Sequence, residues 1–374
     1  MSEKCITAVI VVVLTVLICE ERADYCGCKT VRPCYKRMLD ELLGEDEDAC
    51  IENVAIGAST VTIFLKAIST YCDKFIKLYD IATTYEGKIL YEVAMSRYVN
   101  EEIEKVTNGS KIKPVILLDA GQDAGSETVG FALYIIEQLA ACVENKDMIR
   151  NFLWIILPST NPDGQEYSRG SFERWQKNYR SIMDYEATGV DITRNFDDFF
   201  TECFRVENKF SQNYQGPHPN SENETKFITN VMKKYKSGIK TYISFRRNGH
   251  AILYPFASRN VSLDNMQKTK MKSDEIAKKV NQRAGVIQWF VSQSIYDMNG
   301  EAHCGHSVDY AYNKMDVHNS FEMRIFPETD NDIMSKFQSL PKGYDVSLRT
   351  GYFSGIRELY NLLVAENHME KLKL

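Results

Sequence analysis

The stretch Leu153-Trp-Ile-Ile-Leu-Pro-Ser-Thr-Asn-Pro-Asp-Gly164 decides the fold. Its first five residues form a continuous apolar run, which is typical of a strand buried on both faces of a sheet. The Pro, Asn, Asp and Gly that follow indicate that this strand ends in a loop. A similar run, Val115–Leu118, lies upstream, and residues 127–142 between the two carry apolar side chains at helical intervals. This alternation predicts an α/β domain with helices on both faces of a mixed, mostly parallel, twisted central sheet.

Periodic segments on either side extend the pattern, with a helix over 61–71, strands at 75–81, 89–95, 241–245 and 320–326, and helices near 262–284 and 347–365. The chain has 374 residues, of which 44% are apolar, enough for one large core. We therefore expect a main domain over residues 58–366, preceded by a cysteine-rich segment at 24–57 and followed by a tail at 367–374.

The amino-terminal segment has the features of a signal peptide. Lys4 precedes the apolar run Cys5–Cys19, and polar residues follow it. The run is shorter than the roughly 20 residues of a membrane-spanning helix, which favours cleavage over a signal anchor. Residues 1–23 are therefore expected to be removed, and no stable membrane anchor is expected.

Sequons and cysteines also favour secretion. Sequons for N-linked glycosylation begin at Asn108, Asn223 and Asn260. Two of the ten cysteines lie in the apolar run, and the remaining even set is typical of disulfide bonds in an oxidising compartment. Their pairing cannot be determined from the sequence. The net charge is −6 without a long basic run, so nucleic acid is not expected as a partner.

Short motifs lie in and beyond the expected strand-to-helix loops, and such loops are where open α/β sheets bind ligands. They are Tyr85–Gly87, Leu157–Gly164 with Tyr167, Arg174–Asn178, Gly189–Asp197, Tyr214–Glu222, Leu253–Pro255, Gly305–Tyr310 and Phe321–Arg324. In order and spacing, they resemble the zinc carboxypeptidases of the A and B type. The resemblance covers roughly residues 58–365 and implies the carboxypeptidase fold.

The resemblance implies one zinc ion, held by a His-x-x-Glu pair and a distant histidine. This sequence departs from the pattern at each position. Asp123 and Ser126 stand where the pair belongs, and counting back from Leu253–Pro255 places Arg246 at the third ligand. Because a guanidinium stays protonated, it cannot ligate zinc. The sequence therefore predicts that no metal is bound at this site.

A shifted metal set of Asp123, Glu127 and His250 is an alternative that would hold zinc in a non-standard site. It is less favoured. Glu127 falls in the first turn of a predicted helix, where the helix dipole favours an acid, and a lone histidine usually has no ligand role.

Two catalytic positions can be compared with the family. Glu322 matches the glutamate that takes a proton from zinc-bound water. Without the metal that lowers the pKa of that water, this base has little to act on. Gln176 replaces the arginine that stabilises the oxyanion, and losing such a donor costs about 100- to 1000-fold in rate. Both changes predict poor catalysis.

The resemblance also implies substrate-binding positions. Arg194 matches the arginine that binds the terminal carboxylate, with Thr193 and Asn195 beside it. Tyr296 is the candidate for the mobile tyrosine, and Val308 implies a preference for apolar or aromatic C-terminal side chains. Each residue has a structural alternative, such as an ion pair for Arg194 or core packing for Val308.

A buried Glu322 without metal needs a cation, and Arg246 lies on a facing strand. We therefore expect Arg246 to pair with Glu322, Asp123 or both. The leading functional hypothesis is a secreted pseudo-enzyme that binds peptide C-termini or a protein partner. The alternatives are an active metallocarboxypeptidase with a non-standard metal site, and a structural or storage protein.

Overall fold

The computed structural model describes residues 28–43, 56–170, 175–180, 189–284, 289–327 and 344–372, and two short strands near the amino terminus. These strands, β1 (Ile6–Ala8) and β2 (Val16–Ile18), pair antiparallel. They lie within the predicted signal peptide, most of which falls outside the described residues. The signal peptide therefore stays a prediction. Among the described residues, no helix is long and apolar enough to cross a membrane.

Eight further strands form the central sheet: β3 Ile76–Thr83, β4 Ile89–Met95, β5 Val115–Ala120, β6 Leu153–Leu157, β7 Ile239–Arg246, β8 Ala251–Tyr254, β9 Val291–Ser294 and β10 Ser320–Arg324. Their spatial order is β3-β4-β6-β5-β7-β10-β8-β9. The central strands β6, β5, β7 and β10 run parallel. β4 and β8 run antiparallel to their inner neighbours, β3 is antiparallel to β4, and β9 is parallel to β8. The predicted mixed, mostly parallel sheet is confirmed.

Helices cover both faces of this sheet. Those described are α1 Pro33–Leu43, α2 Ala58–Tyr71, α3 Val99–Thr107, α4 Ser126–Ala141, α5 Lys146–Asn151, α6 Pro162–Gly170, α7 Asn223–Tyr235, α8 Leu263–Ala284, α9 Ile295–Asn299, α10 Ser307–Asn313 and α11 Tyr344–Leu372. The helices predicted over 61–71, 127–142, 262–284 and 347–365 are all present, with boundaries that differ by a few residues or, for the last, by a longer carboxyl-terminal extension.

The sheet separates two hydrophobic cores because successive side chains of a strand point to opposite faces. In β5, Ile116 and Leu118 pack into one core, whereas Val115 and Leu117 pack into the other. Trp154 of β6 is buried in the first core. This two-sided burial explains the continuous apolar runs in the sequence.

Three disulfide bonds are present in the described part of the chain: Cys28–Cys142, Cys34–Cys72 and Cys203–Cys304. The first two join α1 and the residues before it to the main domain. Tyr35 of α1 also donates a hydrogen bond to the buried Glu137 of α4. Residues 28–43 therefore pack on the domain. Cys26 and Cys50 lie outside the described residues.

Candidate functional site

The three positions that the resemblance assigns to zinc ligands lie at the carboxyl edge of the sheet. Asp123 follows β5, Ser126 begins α4, and Arg246 ends β7. Asp123 is 8% exposed. Its Oδ2 accepts the backbone N–H of Arg247 at 2.9 Å, and its Oδ1 has no hydrogen-bond partner among the described residues. Arg246 is 7% exposed, so its guanidinium places a buried positive charge at this edge.

The carboxylate of Glu322, in β10, is surrounded by cationic and hydrogen-bonding groups. Arg324 Nε donates to Oε1 at 2.5 Å, and His306 Nε2 lies 2.8 Å from Oε2. Burial alone would raise the pKa of Glu322. The charge of Arg324, the hydrogen bond from His306 and the charge of Arg246 instead hold this pKa well below its usual range. Glu322 is therefore a stabilised carboxylate with little tendency to accept a proton.

Arg246 and Glu322 form the expected ion pair. Arg246 Nε lies 3.8 Å from Glu322 Oε2, which is within ion-pair distance but too long for a hydrogen bond. Asp123 forms no ion pair with Arg246 within 4.0 Å in the described structure, but its charge acts on the same guanidinium. Burial would lower the pKa of Arg246, and these carboxylates raise it above its ordinary value. The cation at the metal position is therefore permanent.

His306 is a site residue that the sequence reasoning missed. Its Nδ1 accepts the backbone N–H of Val308 at 3.2 Å, so in the neutral ring the proton resides on Nε2. Nε2 then donates to Glu322 and cannot accept from Arg246, whose terminal nitrogen lies 3.3 Å away. The signal in the sequence that could have indicated this role was the presence of a histidine inside the Gly305–Tyr310 motif. The spacing of the motif does not show the direction in which that side chain points.

Gly305 fixes the position of His306. Its φ is +71°, and a Cβ there would lie 2.1 Å from the carbonyl oxygen of Arg194. The backbone N–H of Phe196 donates to the Gly305 carbonyl at 3.0 Å. Only glycine allows this close approach, which brings His306 beside the segment that carries Arg194.

The alternative metal set of Asp123, Glu127 and His250 is not assembled. Glu127 is exposed in the first turn of α4. His250 Nδ1 lies 2.8 Å from the hydroxyl of Tyr352, and burial lowers the pKa of His250 to about 4. No group of three or more His, Cys, Asp or Glu side chains suited to a metal occurs among the described residues. With a guanidinium at the third ligand position, the residues present do not fit a zinc ion.

Comparison with known proteins assigns the family. The profile of the zinc carboxypeptidase family matches residues 61–343. The chain belongs to the zinc carboxypeptidase family. It is 29% identical over 307 residues to zinc carboxypeptidase A 1 of Drosophila melanogaster, a match that covers 79% of this chain and 68% of the relative. Carboxypeptidase A6 of Homo sapiens is 24% identical over 258 residues, covering 67% of this chain and 55% of the relative.

Solved structures of the family share the fold. Thrombin-activatable fibrinolysis inhibitor superposes with a TM-score of 0.73 at 16% identity, covering 88% of this chain and 80% of that one. Carboxypeptidase A of Helicoverpa armigera gives a TM-score of 0.69 at 19% identity, covering 87% and 79%. The predicted fold is thereby confirmed.

Arg194, which the resemblance assigns to carboxylate binding, ends a short 3-10 turn. Its Nε lies 3.3 Å from Asp191 Oδ2, and its side chain is 14% exposed. Thr193 Oγ1 donates to the other oxygen of Asp191 at 2.6 Å. Asn195 is fully buried and donates to the carbonyl of Gln215 at 2.9 Å. Of the three predicted carboxylate-binding residues, Arg194 has the group best able to bind an anion.

Two predicted residues face other partners. Gln176 Nε2 donates to Asn213 Oδ1 at 3.0 Å, so its amide is used locally. Tyr296 lies in α9, half-buried, and its backbone N–H donates to the carbonyl of Phe256 at 3.0 Å. Arg174, the first residue of the Arg174–Asn178 motif, lies outside the described part of the chain.

Val308, which the resemblance assigns to side-chain preference, is fully buried in the second core. This burial agrees with the alternative of core packing, and the preference for apolar or aromatic C-terminal side chains stays a prediction. Two surface cavities of about 430 and 510 Å³ lie elsewhere, the first lined by residues of α2, β4 and the loop after β6, and the second by residues of α8 and β9. Neither is lined by Arg194, Arg246 or Glu322.

A buried polar network beneath the site was also missed. Gln122 Nε2 lies 2.9 Å from Asp119 Oδ1, and Tyr242 donates a hydrogen bond to Asp119. Ser244 Oγ donates to the same carboxylate at 2.9 Å. Burial raises the pKa of Asp119 to about 6, despite these donors. The only sequence signal was an acid at the end of an apolar strand.

Proposed function

We propose that this chain is a non-hydrolytic member of the zinc carboxypeptidase family that binds the C-terminal carboxylate of a peptide or protein. The observation that carries the proposal is the ion pair between Arg246 and Glu322 at the metal position, at 3.8 Å. Together with Arg324 and His306, Arg246 supplies positive charge and hydrogen-bond donors beside Glu322 without a Lewis acid.

Hydrolysis needs a nucleophilic water, and this site has no group suited to generate one. In a metal site, zinc lowers the pKa of bound water from 15.7 to about 7. Arg246 cannot ligate water as a metal does. Glu322, bonded to Arg324 and His306, is a weakened base. The groups around Glu322 therefore favour binding of a peptide over its hydrolysis.

Binding is supported by Arg194. Its Nε, which contacts Asp191 at 3.3 Å, makes no hydrogen bond within the described structure. A guanidinium has five N–H donors in a planar fork that suits a carboxylate. A ligand carboxylate would share this cation with Asp191, and a C-terminal amide would lose the charge that makes the contact favourable.

Three measurements on purified protein test the proposal. After incubation with zinc and removal of the excess, we expect substoichiometric metal and no hydrolysis of a peptide ending in Phe or Leu. The same peptide should bind, and its C-terminal amide should bind at least about tenfold more weakly. Arg194→Ala should lose this discrimination, whereas Arg283→Ala, on the exposed face of α8, should keep it.

Other results would favour the alternatives. Stoichiometric zinc, together with peptidase activity that a chelator removes, would establish a non-standard metallocarboxypeptidase. Absence of both hydrolysis and C-terminal binding would favour a structural or storage role.

We also propose that the protein is secreted and glycosylated. The disulfide bonds support an oxidising compartment. Asn108, Asn223 and Asn260 are exposed, as glycan acceptors must be. Expression in a eukaryotic secretory host, followed by mass spectrometry of the medium before and after glycosidase treatment, tests both points. Retention inside the cells without glycan would contradict them.

A further inference from the structure

The imidazole of His303 lies in the candidate site and has a buried nitrogen without a hydrogen-bond partner. Among the described residues, no group bonds to His303 Nε2, and the same is true of the buried Arg194 Nε. Buried polar atoms of native proteins are nearly always paired, with other protein groups, water or a ligand. Both atoms are nitrogens that can carry a proton, so the site has two buried donors for a ligand to satisfy.

The segment that carries His303 is fastened beside Arg194. The backbone N–H of His303 donates to the carbonyl of Ala257 at 2.8 Å, and the next residue, Cys304, is disulfide-bonded. Gly305 approaches Arg194 so closely that a Cβ on this glycine would lie 2.1 Å from the arginine carbonyl oxygen. His303 is therefore held two residues from the point at which its segment touches the backbone of Arg194.

The ring of His303 also contacts the groups around Glu322. Its centroid lies 5.3 Å from that of His306, and the two rings are nearly perpendicular. His306 Nε2 in turn lies 2.8 Å from Glu322 Oε2 and 3.3 Å from a terminal nitrogen of Arg246. His303 thus belongs to the same site as the ion pair at the metal position.

His303 is a neutral side chain among charged ones. Burial, followed by the charges of Arg194, His306 and Arg246, holds the pKa of His303 well below its usual range. The ring is therefore uncharged at neutral pH and has one N–H, which can reside on Nε2 when an anion lies beside it. Such a donor satisfies a carboxylate oxygen without adding to the positive charge that Arg194 and Arg246 already supply.

We infer that His303 is a second binding residue for the ligand carboxylate, with Arg194 donating to one oxygen and His303 Nε2 to the other. This inference rests on the function proposed above and specifies how the site selects its ligand. A carboxylate has two charged acceptor oxygens, so it satisfies both unpartnered donors at once. A C-terminal amide has one acceptor oxygen and no charge. The site should therefore bind peptides with a free C-terminal carboxylate in preference to amidated ones, and His303 should contribute to that preference.

Titration calorimetry with a peptide ending in Phe or Leu, as the free acid and as the C-terminal amide, tests the inference with the full chain. His303→Leu removes the donor. We expect it to weaken binding of the free acid at least about tenfold and binding of the amide about threefold or less, because a hydrogen bond to a charged group is the stronger one. His303→Gln keeps an N–H donor near the same position and should restore most of the lost preference.

The matched control is His368→Leu, at an exposed position of α11, which should bind both peptides as the wild-type protein does. The ratio of the two affinities does not depend on the fraction of the protein that is folded. A loss of folded protein alone would therefore leave the preference for the free acid unchanged.

Three results would overturn the inference. One is a wild-type preference for the free acid in His303→Leu, since His303 would then serve only the fold; loss of the preference in Arg194→Ala would still support the proposed function. Another is failure of His303→Gln to restore any of the preference that His303→Leu loses. The third is a wild-type protein without preference for the free acid, which would overturn the proposed function as well.

Discussion

His306 Nε2 lies 2.8 Å from Glu322 Oε2, so this histidine donates to the carboxylate that the resemblance assigns to the catalytic base. Both residues are nearly fully buried. A hydrogen bond to a buried charge stabilises more than a neutral one, because the low local dielectric strengthens it. The interaction therefore stabilises the fold while it weakens the base.

Replacing His306 tests whether its hydrogen bond to Glu322 stabilises the fold. His306→Ala removes the donor to Glu322 and the acceptor for the Val308 N–H, and we expect a loss of about 2–3 kcal/mol in the free energy of unfolding. Urea denaturation at pH 7 measures it. His318→Ala, at an exposed position, should change stability by less than about 0.5 kcal/mol. Equal effects of the two substitutions would contradict the assigned role.

Glu322 and Arg246 should respond unequally to substitution. Glu322→Gln leaves both Arg246 and Arg324 without their shared carboxylate, and we expect a loss of about 3–5 kcal/mol. Arg246→Met leaves Glu322 with Arg324 and His306 and removes a desolvated charge that lacks a close hydrogen bond, so stability should change by about 1 kcal/mol or less. Denaturant midpoints compare the two. A larger loss for Arg246→Met would show that the guanidinium is the main stabilising group.

Glu224 should make stability depend on pH. Burial raises its pKa to about 7, above the value of about 4.5 for the unfolded chain. The unfolded chain therefore releases this proton at lower pH than the folded protein, and stability falls as pH rises from about 4.5 to 7. Relative to Glu224→Gln, the wild-type protein should lose up to about 3 kcal/mol over that range.

Thermal denaturation of both proteins between pH 4.5 and 7.5 measures this difference. Subtracting the stability of Glu224→Gln from that of the wild-type protein at each pH removes the contribution of His250. Because burial lowers the pKa of His250, its protonation destabilises the fold as pH falls, which is the opposite trend to that of Glu224. Glu202→Gln, at an exposed position, serves as the control and should follow the wild-type profile. A wild-type profile parallel to that of Glu224→Gln would contradict the prediction.

The Cys34–Cys72 bond should stabilise the domain through the unfolded state. It closes a loop with a sequence separation of 38. Loop-closure entropy for this length corresponds to about 4 kcal/mol. The double variant Cys34→Ala/Cys72→Ala should therefore unfold at lower denaturant concentration, with intact mass confirming that the other bonds remain. An unchanged midpoint would indicate that packing and the Cys28–Cys142 bond are enough to hold α1 on the domain.

The sequence by itself determined the architecture, and through the resemblance it predicted which residues stand at the metal-ligand positions. The apolar runs at 115–118 and 153–157 required strands buried on both faces, because no half-exposed strand tolerates such continuity. Asp123, Ser126 and Arg246 could be predicted as replacements because the spacing of motifs is read directly along the chain. The same motif spacing assigned the base position to Glu322 and the carboxylate-binding position to Arg194 through the resemblance.

Only the tertiary structure decided which groups meet at the carboxyl edge of the sheet. The left-handed backbone at Gly305 brings His306 to Glu322, and the direction of a side chain is not encoded in the spacing of its motif. Val308, assigned to a pocket by resemblance, is buried in the core because its neighbours pack over it.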